Sequence, residues 1–318
     1  MGPSGGNPAG AYPTSSFRVF SMRITNQIIV QRQLDSLQAN VDAIDKAQTA
    51  VSSGKRLQAA SDDPTAASQI MTSASALRAI TQYRTNVSAA TGRVNSEDSV
   101  LQQLTDLMTR AQQIAVQQGS ANSSASTRAA AAAEAGGLLQ SAAQLGNTKF
   151  GDEYLFGGDA STTPPFTVAG SGSSTTYTSN NPSGQRSIQI GDGQTMMVTH
   201  DGTQVFVNTG ALAALHQLTT ALAAGDVSGI NAASTSLNAA FDTVQGVLGD
   251  VGARGNQLSM ASAQLDSYEG TVKTLKSSLE DIDAATAITE LTSRQTAYQA
   301  ALLGISKSTG LSLTDYLK

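Results

Sequence analysis

The 318-residue chain contains no cysteine and no tryptophan. The first absence excludes disulfides, thiolate catalysis and thiolate metal ligation. Aromatic residues amount to 4% and charged residues to 14%, against about 25% charged in an average soluble domain. The cores must therefore be aliphatic, and the polar surface mostly Ser, Thr, Gln and Asn. A formal net charge of −5 leaves no basic field for nucleic acid or an anionic membrane. No apolar run approaches the roughly 18 residues of a membrane-spanning helix, and residues 1–21 lack the apolar centre of a secretory signal. The reading is a soluble chain with no Sec-type signal. With His200 and His216 as the only histidines, a zinc site would need both plus well-placed carboxylates. Both are read as structural or surface residues, and no cofactor or metal is expected.

What is present is helical periodicity at both ends. Residues 1–21 are rich in Gly, Pro and Ser and read as a disordered leader. From Ile24 a helix is expected to Val51, closed near Gly54, with Leu34, Leu37, Val41, Ile44 and Val51 stepping by three and four and polar Gln48 at the remaining seam position. In the C-terminal third Leu258, Ala261, Leu265, Tyr268, Val272, Leu275, Leu279 and Ile282 repeat that alternation, and a last stripe runs through Leu291, Tyr298, Leu302 and Ile305. The two ends are candidate coiled-coil strands that could pair with each other. A helix presenting one such stripe is marginal alone and is expected to order only against a partner.

Between the ends, Ser61-Asp62-Asp63-Pro64 is a helix start. Asp63 can accept from free backbone N–H groups, and Pro64 suits the first helical position, where its missing donor costs nothing. The helix it opens should run towards Gly119, with Leu101, Leu104, Met108, Ala111 and Ala115 on one packing face. Thr127 to Leu145 reads as an Ala-rich helix folding back beside it. After Phe150 the signals become short and turn-bounded, at Tyr154-Leu155-Phe156, Phe166, Ile188, Ile190, Met197, Val198 and Val205-Phe206-Val207. Helical spacing returns at Leu212, Leu215, Leu218 and Leu222. The expected architecture is mainly α, a long helical bundle or coiled coil built from both termini with a small inserted β-rich domain. Its expected divisions are a leader at 1–21, a terminal assembly domain of 22–60 with 275–318, a helical bundle of 61–148 with 209–274, and a β domain at 149–208.

The residues equipped for chemistry are few. Asp62 and Asp63 are adjacent carboxylates, but a cap in front of Pro64 accounts for them without a substrate. Gly246, Gly249, Gly252 and Gly255 lack the Gly-Lys-Ser/Thr that a phosphate loop requires, and are expected to loosen a helix or permit close packing ahead of the last long helix. Gly54-Lys55-Arg56 places two cations after a helix end, where they complement the macrodipole or bind an acidic partner surface. No enzymatic activity is expected.

Two separated motifs then carry a resemblance. Val51-Ser52-Ser53-Gly54-Lys55-Arg56-Leu57 followed by Ser61-Asp62-Asp63-Pro64-Thr65-Ala66-Ala67-Ser68 resembles the N-terminal signature of the bacterial flagellin superfamily. Asp281-Ile282-Asp283-Ala284-Ala285-Thr286-Ala287-Ile288-Thr289-Glu290-Leu291, Gln295-Thr296-Ala297-Tyr298-Gln299-Ala300 and Leu311-Ser312-Leu313-Thr314-Asp315-Tyr316-Leu317 are similar to its C-terminal signature. The Asp-Asp-Pro, Tyr154-Leu155-Phe156-Gly157-Gly158 and the Leu-Thr-Asp-Tyr-Leu ending look most like the superfamily's hook-filament junction subunits. The alternative is a filament flagellin. The resemblance implies a structural, non-enzymatic protein exported through the flagellar type III apparatus to the cell exterior. It implies self-association in a ring, contact with flagellin and hook-associated protein 1, and an export chaperone at the C-terminal helix. The expected assembly residues are Leu34, Leu37, Val41, Ile44, Val51, Leu279, Ile282, Leu291, Tyr298, Leu302 and Ile305, with Asp63 and Pro64 as a cap.

Overall fold

The computed structural model describes residues 19–120, 122–180 and 182–314. Among the described residues there are six α-helices: α1 (Val19–Ser53), α2 (Pro64–Gln118), α3 (Ala125–Gly146), α4 (Ala211–Ala224), α5 (Val227–Glu280) and α6 (Ala284–Thr314). Six short strands lie between α3 and α4: β1 (Lys149–Phe150), β2 (Glu153–Tyr154), β3 (Phe166–Ala169), β4 (Thr176–Ser179), β5 (Ser187–Gly191) and β6 (Gln194–Met197). Residues 1–18 of the expected leader lie outside the described residues, while Val19, Phe20 and Ser21 are already helical. The chain forms two compact units, one of residues 1–74 and 274–318 and the other of residues 75–273. The β-rich segment is part of the second unit.

In the second unit α2 and α5 run antiparallel. Arg84 Nη1 meets Glu269 Oε2 at 2.5 Å, whereas further along α2 the methyls of Val94 lie next to Gly255. Both helices bury one side chain every seven residues: Ile80, Val87, Val94, Leu101, Met108 and Ala115 on α2, and Ile230, Leu237, Val244, Val251, Leu258, Leu265 and Val272 on α5. A strict seven-residue repeat keeps a seam facing its partner only if the helices wind round each other. The stripe read from Leu258 to Ile282 thus has its partner within this unit as far as Val272, and only one of its two lines is covered. Leu258, Leu265 and Val272 are buried, but Tyr268 is 53% and Leu275 50% exposed. Gly246, Gly249, Gly252 and Gly255 also differ from expectation, since they lie inside the uninterrupted α5. A Cβ at the first three would meet nothing within 4 Å, so no close packing within the chain requires them.

The strands form three separate antiparallel pairs, β1 with β2, β3 with β4, and β5 with β6. Phe156 and Phe166 each stack edge-on against Phe206, with centroids 5.3 and 5.4 Å away. Asn147, just past α3, pins β3 through both amide atoms, accepting from the Phe166 N–H at 2.9 Å and donating to its carbonyl at 2.7 Å. At Gly136 a Cβ would lie 1.7 Å from the Gly172 carbonyl oxygen, so only glycine lets this loop sit on α3. Val205-Phe206-Val207, expected as a strand, is part of a π-helical turn, Thr203–Val207. Asp201 explains the change: its side chain accepts from the Gln204 N–H at 2.8 Å and its carbonyl from Val205 at 3.2 Å. Such local side-chain bonds divert β-branched runs from ladders.

Candidate assembly surface

In the first unit α1 and α6 run antiparallel. Ala43, Ala47 and Ala50 of α1 line one cleft with Ala287, Glu290 and Arg294 of α6. Towards the other end Arg32, Gln33 and Ser36 share a second cleft with Ala301, Gly304 and Ile305. The partner of α1 is therefore α6, and the heptads of Leu258 to Val272 belong to the other unit.

Burial within this unit is shallow. Ala50, Ala66, Ser73 and Ala287 are its only fully buried side chains among the described residues. Leu37, Val41, Ile44, Val51, Leu279, Ile282, Leu291, Tyr298 and Ile305 are half-buried, while Leu34 is 51% and Leu302 43% exposed. Ile28, Val30, Ile288 and Leu303, absent from the expected set, are also exposed. Their signal was in the sequence: Leu303 is next to Leu302, and Ile288 lies three residues before Leu291. Two helices touching along one line cannot enclose side chains of this size, because each leaves its far flank open. Residues 315–318, including the last part of the C-terminal motif, lie outside the described residues.

The two signature motifs meet in this unit. The Arg56 N–H donates to the Glu280 carbonyl at 2.7 Å and the Ile282 N–H to the Gly54 carbonyl at 3.0 Å, a single antiparallel bridge centred on Lys55 and Asp281. Gly54 has φ 70° and ends α1 in the left-handed conformation that glycine adopts without a Cβ penalty. Lys55 Nζ lies 2.5 Å from Glu280 Oε1, which raises the Lys55 pKa and lowers that of Glu280. Arg56 donates from Nη2 to the Leu279 carbonyl at 2.9 Å, taking up an acceptor that the end of α5 leaves unpaired. Both cations of Gly54-Lys55-Arg56 are thus engaged with the C-terminal end of α5.

The adjacent carboxylates have separate jobs. Asp63 Oδ1 accepts from the Ala66 N–H at 3.0 Å, at the start of α2 that Pro64 opens. Asp62 Oδ2 accepts from the N–H groups of Ala59 and Gln58 at 3.0 and 3.3 Å, bonds that hold its carboxyl below the usual range. Asp283 does at α6 what Asp63 does at α2, accepting from the Ala285 N–H at 2.9 Å, and its pKa is lowered by the Thr286 hydroxyl first and then by that amide.

In the second unit the polar centre is buried. Glu97 of α2 is fully enclosed and its Oε1 accepts from His200 Nδ1 at 2.6 Å and from the His200 N–H at 3.2 Å. The other ring nitrogen lies 3.0 Å from Asp250 and 3.1 Å from Arg254, both on α5. His200 therefore ties the loop after β6 to both long helices. His216 lies edge-on to Tyr177, with ring centroids 6.3 Å apart. Among the described residues no group of three or more His, Asp or Glu side chains could hold a metal ion, and no helix is long and apolar enough to cross a membrane.

The comparisons agree with this architecture. Residues 24–161 match the bacterial flagellin N-terminal helical region and residues 230–317 the bacterial flagellin C-terminal helical region. The chain belongs to the bacterial flagellin superfamily. Within it, the chain is 28% identical to flagellar hook-associated protein 3 of Escherichia coli, over 93% of this chain and 100% of that protein. It is 30% identical to flagellar hook-associated protein 3 of Salmonella typhimurium over 188 residues, 58% of this chain and 57% of that protein. The crystal structure of flagellar hook-associated protein 3 from Legionella pneumophila shares the fold, with a TM-score of 0.56 at 17% identity over 66% of this chain and 98% of that one.

Proposed function

We propose that this chain is a structural subunit of the bacterial flagellum that joins the hook to the filament. The observation that carries the reading is the first unit, whose helices expose large apolar side chains and, among the described residues, bury nothing larger than alanine or serine. Fully burying each of those Leu and Ile side chains is worth roughly 1.5 to 3 kcal/mol, which a lone helix pair leaves unrealised. Neighbouring subunits supply the missing cover, so the chain self-associates in a ring and contacts hook-side and filament-side proteins of the same superfamily. Before assembly the open face of α6 is what an export chaperone would cover, by a helix-in-groove contact. The route is the flagellar type III apparatus and the destination the cell exterior. The resemblance to hook-associated protein 3 over the whole length of the E. coli relative supports a junction subunit over a filament flagellin.

The test is complementation of a strain deleted for the gene. Leu302→Asp should leave the second unit folded, by circular dichroism and thermal melting, and abolish motility, because assembly would bury an unpaired carboxylate. Secretion of the variant is measured alongside. Normal motility would overturn the interface, and long polymers formed by purified wild-type protein would favour a filament flagellin.

A further inference from the structure

His200 is held by charged groups on two helices of the second unit, and its two ring nitrogens meet different demands. Nδ1 faces an acceptor. Glu97 Oε1 of α2 lies 2.6 Å from it and also takes the His200 backbone N–H at 3.2 Å. An oxygen that already accepts a backbone N–H is acting as a carboxylate acceptor, so the ring proton rests on Nδ1 in both charge states of the imidazole. Nε2 faces a donor and an acceptor together. Arg254 Nη2 is 3.1 Å from it and Asp250 Oδ2 3.0 Å, and these two α5 side chains lie 2.9 Å from each other. Asp201, the next residue on the loop, is turned instead to the Gln204 N–H.

One protonation state cannot satisfy both contacts at Nε2. A neutral ring presents a lone pair there, which accepts from the Arg254 guanidinium and repels the Asp250 oxygen. A protonated ring presents an N–H, which donates to Asp250 and opposes the Arg254 donor. Imidazole is the side chain whose ordinary charge change falls between about pH 5 and pH 8. The two competing partners also differ in freedom, since the Asp250 side chain is 52% exposed and that of Arg254 14%. Asp250 can turn into water when the lone pair faces it, while Arg254 stays at hand. We propose that His200 is a proton-operated switch in the loop after β6. The neutral ring fastens that loop to α5 through Arg254 and the protonated ring fastens it through Asp250, with Glu97 of α2 held in both states. The proton is exchanged with solvent on the side of half-exposed Asp250. Glu97 and Asp250 against Arg254 leave the group one negative charge in excess, which the protonated ring cancels. The loop leads directly into the π-helical turn and α4, so the switch acts where the β-rich segment is tied to both long helices. It does not depend on the assembly reading.

With only two histidines in the chain, the test is direct. Full-length protein labelled with nitrogen-15 in histidine gives two ring systems by NMR, and His216→Gln assigns them. At about pH 8 the His200 ring should carry its proton on Nδ1 and a bare Nε2, and at about pH 5 a proton on both. Substitutions separate a switch of partners from a ring that titrates in place. Asp250→Ala should move the backbone amide signals of Thr199 and Asp201 several-fold more at about pH 5 than at about pH 8, and Arg254→Ala should do the reverse. Asp250→Asn, which keeps an acceptor, should restore most of the wild-type pattern in acid. Wild-type Nε2 in the same protonation state at both pH values would overturn the proposal, and this measurement needs no variant of the network to fold. Amide shifts from the two substitutions that are alike at both pH values would overturn it too, since they would mark a fixed structural contact.

Discussion

The two units of this chain use the same element, a long antiparallel helix pair, and differ in what surrounds it. In residues 75–273 the α2/α5 seam lies within a common core that also takes in α3, α4 and the phenylalanine cluster, so Leu, Ile, Val, Met and Phe side chains are fully enclosed. Among the described residues of 1–74 and 274–318 the pair has no such company, and the fully buried set is three alanines and a serine. The periodicity of the sequence is alike in both. A heptad stripe therefore says that a helix needs a partner without saying whether the partner is in the same chain.

The largest effect that would sharpen the contrast is at Glu97. Removing one member of a buried charge network strands the others and costs about 3 to 5 kcal/mol. Glu97→Ala should lower the melting temperature sharply, because the His200 ring and the His200 backbone N–H would both lose their acceptor in a fully enclosed position. A melting temperature unchanged within a degree would show that the network contributes nothing to this unit. Next is a truncation applied to both seams. Leu104→Ala, in the core, should cost about 2 to 5 kcal/mol, whereas Leu34→Ala, half-exposed on α1, should stay within about 0.5 kcal/mol in the monomer. Equal costs, read by denaturant unfolding, would break the comparison.

These side chains also mark what the sequence could disclose. Helix starts were legible because their chemistry is local: Asp63 and Pro64 are three residues or fewer from the amide they serve. The resemblance was legible because its motifs are contiguous. The partner of the Leu258 stripe was not, since nothing in a run of apolar residues names the helix opposite, and α2 and α6 offer similar spacings. The Glu97–His200–Arg254 network joins residues 103 and 54 positions apart. A signal for it existed in the charge that interrupts the apolar steps from Val94 to Leu101. The π turn at Thr203–Val207 was hidden because its β-branched residues favour a strand, and the Asp201 side chain that diverts them lies outside the run.

A smaller effect belongs to the cap. Asp63→Ala should remove one N–H acceptor at the start of α2 and cost about 1 kcal/mol, with Asp63→Asn retaining most of the stability. Thermal unfolding of the two variants checks it, and indistinguishable losses would assign the effect to charge and not to the hydrogen bond.

The smallest effect is a pH dependence confined to the first unit. Glu280 has its folded pKa lowered chiefly by the Lys55 hydrogen bond, and Asp283 by the Thr286 hydroxyl and the Ala285 amide. A carboxyl whose folded pKa is depressed contributes stability that is present above its unfolded value, about 4, and is lost as pH falls through the folded value. The bridge between the motifs should therefore hold at neutral pH and loosen in acid below about pH 4. Lys55 acts in the opposite sense: its raised pKa keeps the ion pair intact below the ordinary lysine range and lets it go as pH rises through the folded value. An environment-sensitive dye on Ala287→Cys would follow this in the monomer. Glu280→Gln should give at neutral pH the dye signal that the wild type reaches only in acid, because its side chain can no longer carry the charge that Lys55 pairs with. A wild-type signal flat between pH 7 and pH 3, or a Glu280→Gln variant that still shows the full acid transition, would remove Glu280 from the account and leave Asp283 and the backbone bridge to hold the motifs together.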